Sequence, residues 1–539
     1  MLAPRGWEPA QVAAPVRPSH VRTPEAWPLA LVVAVLDLAL GLYLDLGLHY
    51  ISGDGFSRVA NAYDVLFGRD PHLAAVGFIW NPLPSLLEVP LLLFSHLWRP
   101  LAADAVAGLI VSAVFGGVAV YHLCRILRRL DVPSAWRIAL TVLFAANPMI
   151  AFYSANGMSD IMLVGAMMAA IDCAVDYLDT HRVLALAATG VWLAVAFAIR
   201  YEGAPLGVCL ALGLALGMAW QGRTAQEVRG SLLIVLAPLV YAGFMWVYVN
   251  WLIMKQPLYF LESSYGNLSQ TSIGSYVLGD AALQAAHHHP VGTLLFVMRM
   301  AALFWPVGIG LAAALILCLR RLRTPLAPLL IGATVGMPLL AVLVFGGHSG
   351  GWARYFIYYI PDGFLLLALA ATRFRRGAWR TAALLVAALL CVAGNVGTLH
   401  EETTSSVVGY GDIGTVNQLI LRRPVVMYRE PDEVVRYLDA HPHMSVLLDS
   451  YLGYPIVLRV RNPRQLIITS DVDFMSVLEN PAGRVQALLV PKPTDVGALD
   501  AVDRAWPLLW SGKVRWARRI ATFPGQTGWR LYAVGEGAP

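Results

Sequence analysis

The stretch Ile51-Ser-Gly-Asp-Gly-Phe-Ser-Arg-Val-Ala-Asn-Ala-Tyr63 sets a carboxylate, Asp54, between two glycines at the end of the first long apolar run. Glycine on each side lets the backbone approach a ligand closely or take an unusual turn. Arg58 follows four residues later, so a helix that starts after Gly53 stacks Asp54 and Arg58 on one face and carries Tyr63 further along. Asp54 could equally be no more than the N-cap of that helix. A second patch opens with Arg69-Asp70-Pro71-His72 and continues as Phe78-Ile79-Trp80-Asn81-Pro82-Leu83-Pro84. Prolines flanked by aromatics make a rigid segment, with Trp80 suited to the membrane interface. Further charges sit at or inside the ends of later apolar runs: Arg200-Tyr201-Glu202, Lys255, Arg299, Trp352-Ala353-Arg354-Tyr355 and Asp362. Such charges are costly near a bilayer and mark pairing or function. Several basic groups opposite one or two carboxylates suit a lipid phosphate, because arginine holds phosphate oxygens with two parallel bonds. The plainer alternative is that Arg200 with Glu202, or Arg354 with Asp362, pairs to hold helices together.

The elements that must position these groups are membrane spans. Of 539 residues, 58% are hydrophobic and only 14% charged, against about 25% in a soluble chain. Apolar runs predict eleven spans, near 28–50, 101–124, 137–153, 158–176, 183–199, 203–220, 230–252, 291–317, 325–345, 354–371 and 379–397. Asn147-Pro148 and Asn156-Gly157 mark a turn between the third and fourth. The stretch 82–98 is apolar but holds Pro82, Pro84, Glu88 and His96, and reads as an interfacial or re-entrant helix, with a full span as the alternative. The run from Trp27 to about Tyr50 is too long for the core of a signal peptide and reads as a retained helix. Basic residues cluster at alternate span ends: Arg125, Arg128, Arg129 and Arg137, then His181 and Arg182, Arg223 and Arg229, Arg320, Arg321 and Arg323, and finally Arg373, Arg375, Arg376 and Arg380. The positive-inside bias puts these ends and the N-terminus in the cytoplasm, and Asp54, the 253–290 loop and the C-terminal region outside.

Residues 1–26 read as a flexible cytoplasmic tail, 27–400 as the transmembrane domain with a first outer loop at 51–100, and 401–424 as a linker. Residues 425–539 read as a small extracytoplasmic α/β domain with a mostly parallel sheet. Its β-like runs are Ser445–Leu448, Pro455–Val460, Leu466–Thr469, Val485–Val490 and Trp529–Val534, with helices from Pro431 to Leu438 and near 473–479 and 496–508. Asp449 and Asp471 follow strands, where ligand loops or simple caps sit. All five cysteines fall in apolar runs, which argues against a disulfide framework or a CxxC metal site.

In their order and topology these motifs resemble the GT-C fold integral membrane glycosyltransferases, the superfamily of protein O-mannosyltransferases, aminoarabinose lipid A transferases and oligosaccharyltransferase catalytic subunits. The matching positions are Asp54 in Gly-Asp-Gly-Phe-Ser-Arg, the Trp80-Asn-Pro-Leu-Pro-Ser-Leu-Leu segment, Asn156-Gly-Met-Ser-Asp160, Arg200-Tyr-Glu-Gly203, and Arg354-Tyr355 with Pro361. The resemblance covers residues 28–397. It implies an inverting glycosyltransferase of the EC 2.4 class in the plasma membrane, with a polyprenyl-phosphate-linked sugar as donor and a lipid, glycan or protein acceptor at the outer face. Asp54 would be the catalytic carboxylate. Arg58, Arg200, Arg354 and Lys255 would hold the donor phosphate, while Glu202, His72, Tyr63 and Tyr355 would shape the sugar or acceptor site. The 253–290 loop, with Tyr259, Glu262, Tyr265 and His287–His289, would cover that site. Asp54 lacks the second carboxylate of an Asp-x-Asp pair, and no WWDYG-type motif follows in the C-terminal region. No residue is assigned to metal, and a divalent ion stays open as a cofactor. A transporter or lipid flippase is the runner-up, but it calls for midplane charges and repeated halves. A non-catalytic assembly protein would leave Asp54, Arg200 and Arg354 without a shared task.

Overall fold

The computed structural model describes residues 23–50, 52–266, 269–270, 281–319, 324–335, 340–349, 351–404, 413–422, 429–525, 527–536 and 538. Most of the tail expected at 1–26 thus lies outside the described residues. The chain is a multi-pass membrane protein of long apolar helices joined to a C-terminal α/β region. Among the described residues seven helices are long and apolar enough to cross a bilayer, or up to nine if each of two bent pairs is one span. The expected eleven is therefore too many by this measure, for local reasons. The pair Ser134–Ala145 and Pro148–Ser154 bends by 66° where Asn147 caps Met149 N and Ile150 N at 3.1 and 3.3 Å. The pair Pro290–Phe304 and Pro306–Leu319 bends by 101°, again at a proline, which has no N–H to continue the ladder. Val183–Ile199 stops at 17 residues, and residues 336–339 of the expected 325–345 span lie outside the described residues.

The helices needed below are α1 (Ala26–Leu42), α2 (Gly53–Phe67), α3 (Leu83–Leu92), α4 (Val106–Arg129), α5 (Ser159–Thr180), α6 (Val183–Ile199), α7 (Gly203–Trp220), α8 (Ala225–Met254), α9 (Tyr359–Thr372) and α10 (Ala378–Thr404). At 10 residues, α3 rises about 15 Å, half of a bilayer core, so the 82–98 stretch does not span as a helix. α4 packs on α1 and α5, and α5 in turn on α6. α5 and α9 are buried along most of their length, whereas α1, α8 and α10 turn rows of Leu, Val and Phe outward as a lipid-facing coat. Gly165 of α5 lets α4 come close: a Cβ there would lie 2.8 Å from Phe115 O. Within 401–424, α10 continues to Thr404 and a further helix forms at Ile413–Ile420.

The C-terminal region is a five-stranded sheet: β1 (Val446–Leu448), β2 (Leu466–Ile467), β3 (Ala487–Pro491), β4 (Ala517–Phe523) and β5 (Trp529–Val534), in the order β2-β1-β3-β5-β4. β1 is parallel to β2 and β3, while β5 is antiparallel to β3 and β4, so the sheet is mixed rather than mostly parallel. Alternate residues feed two cores, Val446 and Leu448 on one face, Leu447 and Leu488 on the other. β4 was not foreseen because this edge strand carries polar, exposed Arg518 and Arg519. The expected strand Pro455–Val460 lies instead largely in helix α11 (Ser450–Arg459). Asp449 starts that helix by accepting from Tyr451 N at 2.8 Å. Gly453, Ile456, Val457 and Val460 are all buried, the i, i+3, i+4, i+7 spacing of a helix face, and this tertiary fit overrides the β-branched composition.

Candidate functional site

Ser52 is the extended N-cap of α2, so Asp54 stands in the first turn and is not the cap. A carboxylate there is favoured by the helix dipole. The flanking glycines allow two close approaches. A Cβ on Gly55 would lie 3.1 Å from the carbonyl oxygens of Asn156 and Gly157, and one on Gly53 would lie 3.1 Å from the Tyr454 hydroxyl.

Asp54 Oδ2 accepts from Arg354 Nη2 at 2.9 Å, across 300 residues of sequence. The Arg354 guanidinium lies 5.0 Å from the Trp352 ring centre and 5.7 Å from that of Tyr355. Arg200 approaches the same Tyr355 ring at 5.2 Å, so one phenol separates two guanidinium groups. Arg200 pairs with Glu202 at 2.6 Å and Asp160 at 3.1 Å, and donates to Ser159 Oγ at 3.3 Å. Buried Arg58 completes the group, within the fields of Arg200, Asp54, Glu88 and Asp160. Burial, then repulsion from Arg200, pulls the Arg58 pKa down, partly offset by those three carboxylates. For Glu202 burial acts upward, but Arg200 more than offsets it and the carboxyl stays below its usual range. The Asp54 side chain is 59% exposed against 17% for Arg354 and 2% for Asp160, so Asp54 is the acid that a substrate in solution can reach.

The turn holding Arg200 and Glu202 is pinned by the proline-rich segment. Asn81 Nδ2 donates to Phe197 O and Tyr201 Oη to Ile79 O, both at 2.7 Å, and Trp246 Nε1 donates to Tyr201 Oη at 3.1 Å. Phe260, just past α8, stacks on Tyr201 at 5.3 Å, which brings the described start of the 253–290 loop to the rim.

The C-terminal region closes the other side through α11. Tyr454 packs on Phe56 of α2 at 5.9 Å. Arg459 lies 5.4 Å from the Phe56 ring centre and donates to Ala103 O at 3.0 Å. At the far end of α2, Arg69 bonds Asp471 at 2.9 Å and also Asp473, while Val472 N donates to Asp70 Oδ2 at 3.2 Å. Tyr265 donates to Asp449 at 2.6 Å, tying the 253–290 loop to the start of α11. Asp449 and Asp471 thus act in capping and docking.

Of the nine residues singled out, the structure gathers Asp54, Arg58, Arg200, Glu202, Arg354 and Tyr355. The other three have different partners. Tyr63 packs against Phe67, His72 Nδ1 meets Asp70 O, and Lys255, at φ 59°, bonds back to Leu252 O at its own helix end. Of the two alternative pairs, Arg200 with Glu202 forms, whereas Arg354 takes Asp54 and Asp362 faces Thr334. Asp160 and Tyr454 belong to the surroundings of the site and were not among its expected members, and Glu88, with Asp70 a possible carboxylate partner of Asp54 from the sequence, acts instead on Arg58. Asp160 had a sequence signal, its place in Asn156-Gly-Met-Ser-Asp160; Tyr454 had none, standing just before the expected strand Pro455–Val460. Among the described residues no three His, Cys or carboxylate side chains form a group that could hold a metal ion. His288 and His289 diverge, one onto the Phe345 ring and the other capping Gly292 N.

No protein-family model and no curated protein matches the sequence. Two solved structures of ArnT from Cupriavidus metallidurans match the fold. The form bound to undecaprenyl phosphate gives a TM-score of 0.55 at 11% identity over 96% of this chain and 99% of that one. The apo form gives 0.54 at 12% identity over 94% and 97%. The likeness runs through both the membrane helices and the C-terminal region, and this chain has the GT-C fold.

Proposed function

We propose that the chain is an inverting glycosyltransferase that moves a sugar from a polyprenyl-phosphate donor to an acceptor hydroxyl at the outer membrane face. The observation that carries this reading is the pairing of Asp54 with Arg354 beside Arg200, on a fold shared with a protein solved with undecaprenyl phosphate. The donor phosphate would compete with Asp54 for Arg354 and lie near Arg58 and Arg200. That exchange frees the carboxylate to accept a hydrogen bond from the acceptor hydroxyl. Asp54 then takes the hydroxyl proton as the acceptor oxygen attacks the anomeric carbon. The bond from that carbon to phosphate breaks on the opposite face and inverts it. Polyprenyl phosphate leaves with the electron pair, stabilised by guanidinium groups already in place. Phosphate needs no acid to leave, which fits a site with one exposed carboxylate. Tyr355 orients both guanidinium planes, and Glu202 and Asp160 keep Arg200 charged and aimed.

The orientation follows the same reading. α4 rises about 36 Å over its 24 residues, enough to cross a bilayer core, and ends at Arg125, Arg128 and Arg129. The positive-inside bias assigns that end to the cytoplasm and the Asp54 end to the outside, with the N-terminus inside and the C-terminal region outside. A plasma-membrane location accords with this arrangement. The test is transfer from a radiolabelled polyprenyl-phosphate sugar by the wild type and by Asp54→Asn. Loss of about 10²–10⁴-fold in rate, with undecaprenyl phosphate still bound, is expected for a general base. Undiminished transfer removes Asp54 from this role.

A further inference from the structure

A second polar cleft, of about 600 Å³, opens between the first loop and the C-terminal region. Its charged lining comes from His49, Arg99, Asp104, Asp432, Arg436 and Arg459. Arg459 already serves both carboxylates, at 2.8 Å to Asp432 and 3.5 Å to Asp104. Arg99 donates to Arg459 O, and Arg436 Nε to Asp432 O at 3.3 Å. Among the described residues Arg99 pairs with no carboxylate, and Arg436 reaches only Glu433, at 3.9 Å. Both are exposed, so most of their N–H groups remain available to an anion.

The place of the cleft says what kind of anion. His49 follows Tyr43 and Leu46, exposed apolar residues where the first span ends. Arg99 directly follows exposed Leu97 and Trp98. Apolar and aromatic side chains turned outward at a span end belong at the hydrocarbon boundary, with the cationic groups at headgroup level.

We propose that this cleft binds the phosphate of an anionic lipid through Arg99 and Arg436, its chains lying along Tyr43, Leu46, Leu97 and Trp98. The site is separate from Asp54 and does not rest on the transferase reading. Two sources share this chemistry, a bulk phospholipid and a polyprenyl phosphate. The test is native mass spectrometry of the detergent-purified full chain, titrated with phosphatidylglycerol, phosphatidylcholine or undecaprenyl phosphate. Wild type is compared with the Arg99→Gln/Arg436→Gln double variant and with Arg354→Gln. The double variant is expected to retain about tenfold less anionic lipid, the loss of roughly one charge-assisted contact. Loss confined to phosphatidylglycerol identifies a membrane phospholipid, and loss confined to undecaprenyl phosphate identifies the lipid carrier. Unchanged retention of both, or phosphatidylcholine held as tightly as phosphatidylglycerol, overturns the proposal. Arg354→Gln reports independently on the Asp54 site: it should weaken undecaprenyl phosphate and leave phosphatidylglycerol unchanged.

Discussion

Two clusters of buried charge sit toward opposite ends of the helix bundle, and they are built differently. Toward the basic end, Asp172 of α5 receives His122 at 2.8 Å, Arg125 at 2.7 Å and Arg129 at 3.4 Å, all from α4. Arg129 continues to Asp176 at 2.9 Å and Asp179 at 3.5 Å. Among the described residues these ion pairs join two helices already packed together. At the Asp54 end, the charges come from separate segments: α2, the start of α5, the turn between α6 and α7, and the segment before α9. There the Nε atoms of Arg58 and Arg354, Oδ2 of Asp160 and Oε2 of Glu88 are buried without a hydrogen-bond partner among the described residues. Unpaired buried polar atoms are unfavourable, and at a charged cluster beside an exposed carboxylate they are groups that a ligand could engage. The first network is a clasp between two helices; the second, open one joins separate segments around an exposed carboxylate.

Breaking each cluster should therefore have opposite consequences. After Asp54→Asn, the largest effect is expected from Arg354→Gln, which should lower the transfer rate about 10²–10³-fold, as when one stabilising donor is lost, with little change in Tm. Both readouts come from one preparation, by radiolabelled transfer and thermal unfolding; a large fall in Tm with normal turnover would make the outer cluster structural after all. Asp172→Asn should do the reverse, destabilising the protein by about 3–5 kcal/mol, the effect of breaking a buried ion network, while each folded molecule keeps its turnover. Gly55→Ala comes next. Its Cβ meets two carbonyl oxygens at 3.1 Å, so α2 must shift by a few tenths of an ångström. Turnover should fall about tenfold or more, since small misplacements of reacting groups are costly in rate.

The smallest effect expected is a pH dependence away from both clusters. Burial raises the Asp503 carboxyl to about 7, and its side chain is buried without a hydrogen-bond partner among the described residues. A folded-state pKa above the unfolded value near 3.9 favours the protonated form in the fold. That contribution to stability is present in full below about pH 4 and is lost as the pH rises through about 7. Asp503→Asn should flatten the decline of Tm between about pH 4 and pH 7, measured by thermal unfolding of the full chain. An unchanged slope would show that Asp503 titrates normally.

The open cluster was more legible in sequence than its size suggests, because its members sit at chain positions that physics marks. An acid between two glycines, or an arginine two residues from a glutamate where an apolar run breaks, is conspicuous without any structure. Distance across the bundle is not. Nothing local pairs Arg354 with Asp54 rather than Asp362, or Arg200 with Asp160. Lys255 was read from its position at a span end, and the backbone turned it back on its own helix. Spans were legible as apolar runs but not as straight helices, since Asn147-Pro148 and Pro306 bend two of them sharply. The Pro455–Val460 segment misled because β-branched composition and helical spacing disagreed, and packing on the sheet followed the spacing.

That last helix has a practical consequence for engineering. One short stretch, Ser450–Arg459, touches the sheet core, the loop after α8 through Tyr451 on Tyr265, and the helix bearing Asp54. The extramembrane region is thus not an interchangeable module. A chimera joined at the end of α10 would inherit the spans and lose the side chains that seat α2. Any grafted replacement would have to reproduce the surface of a single three-turn helix before it reproduced anything else.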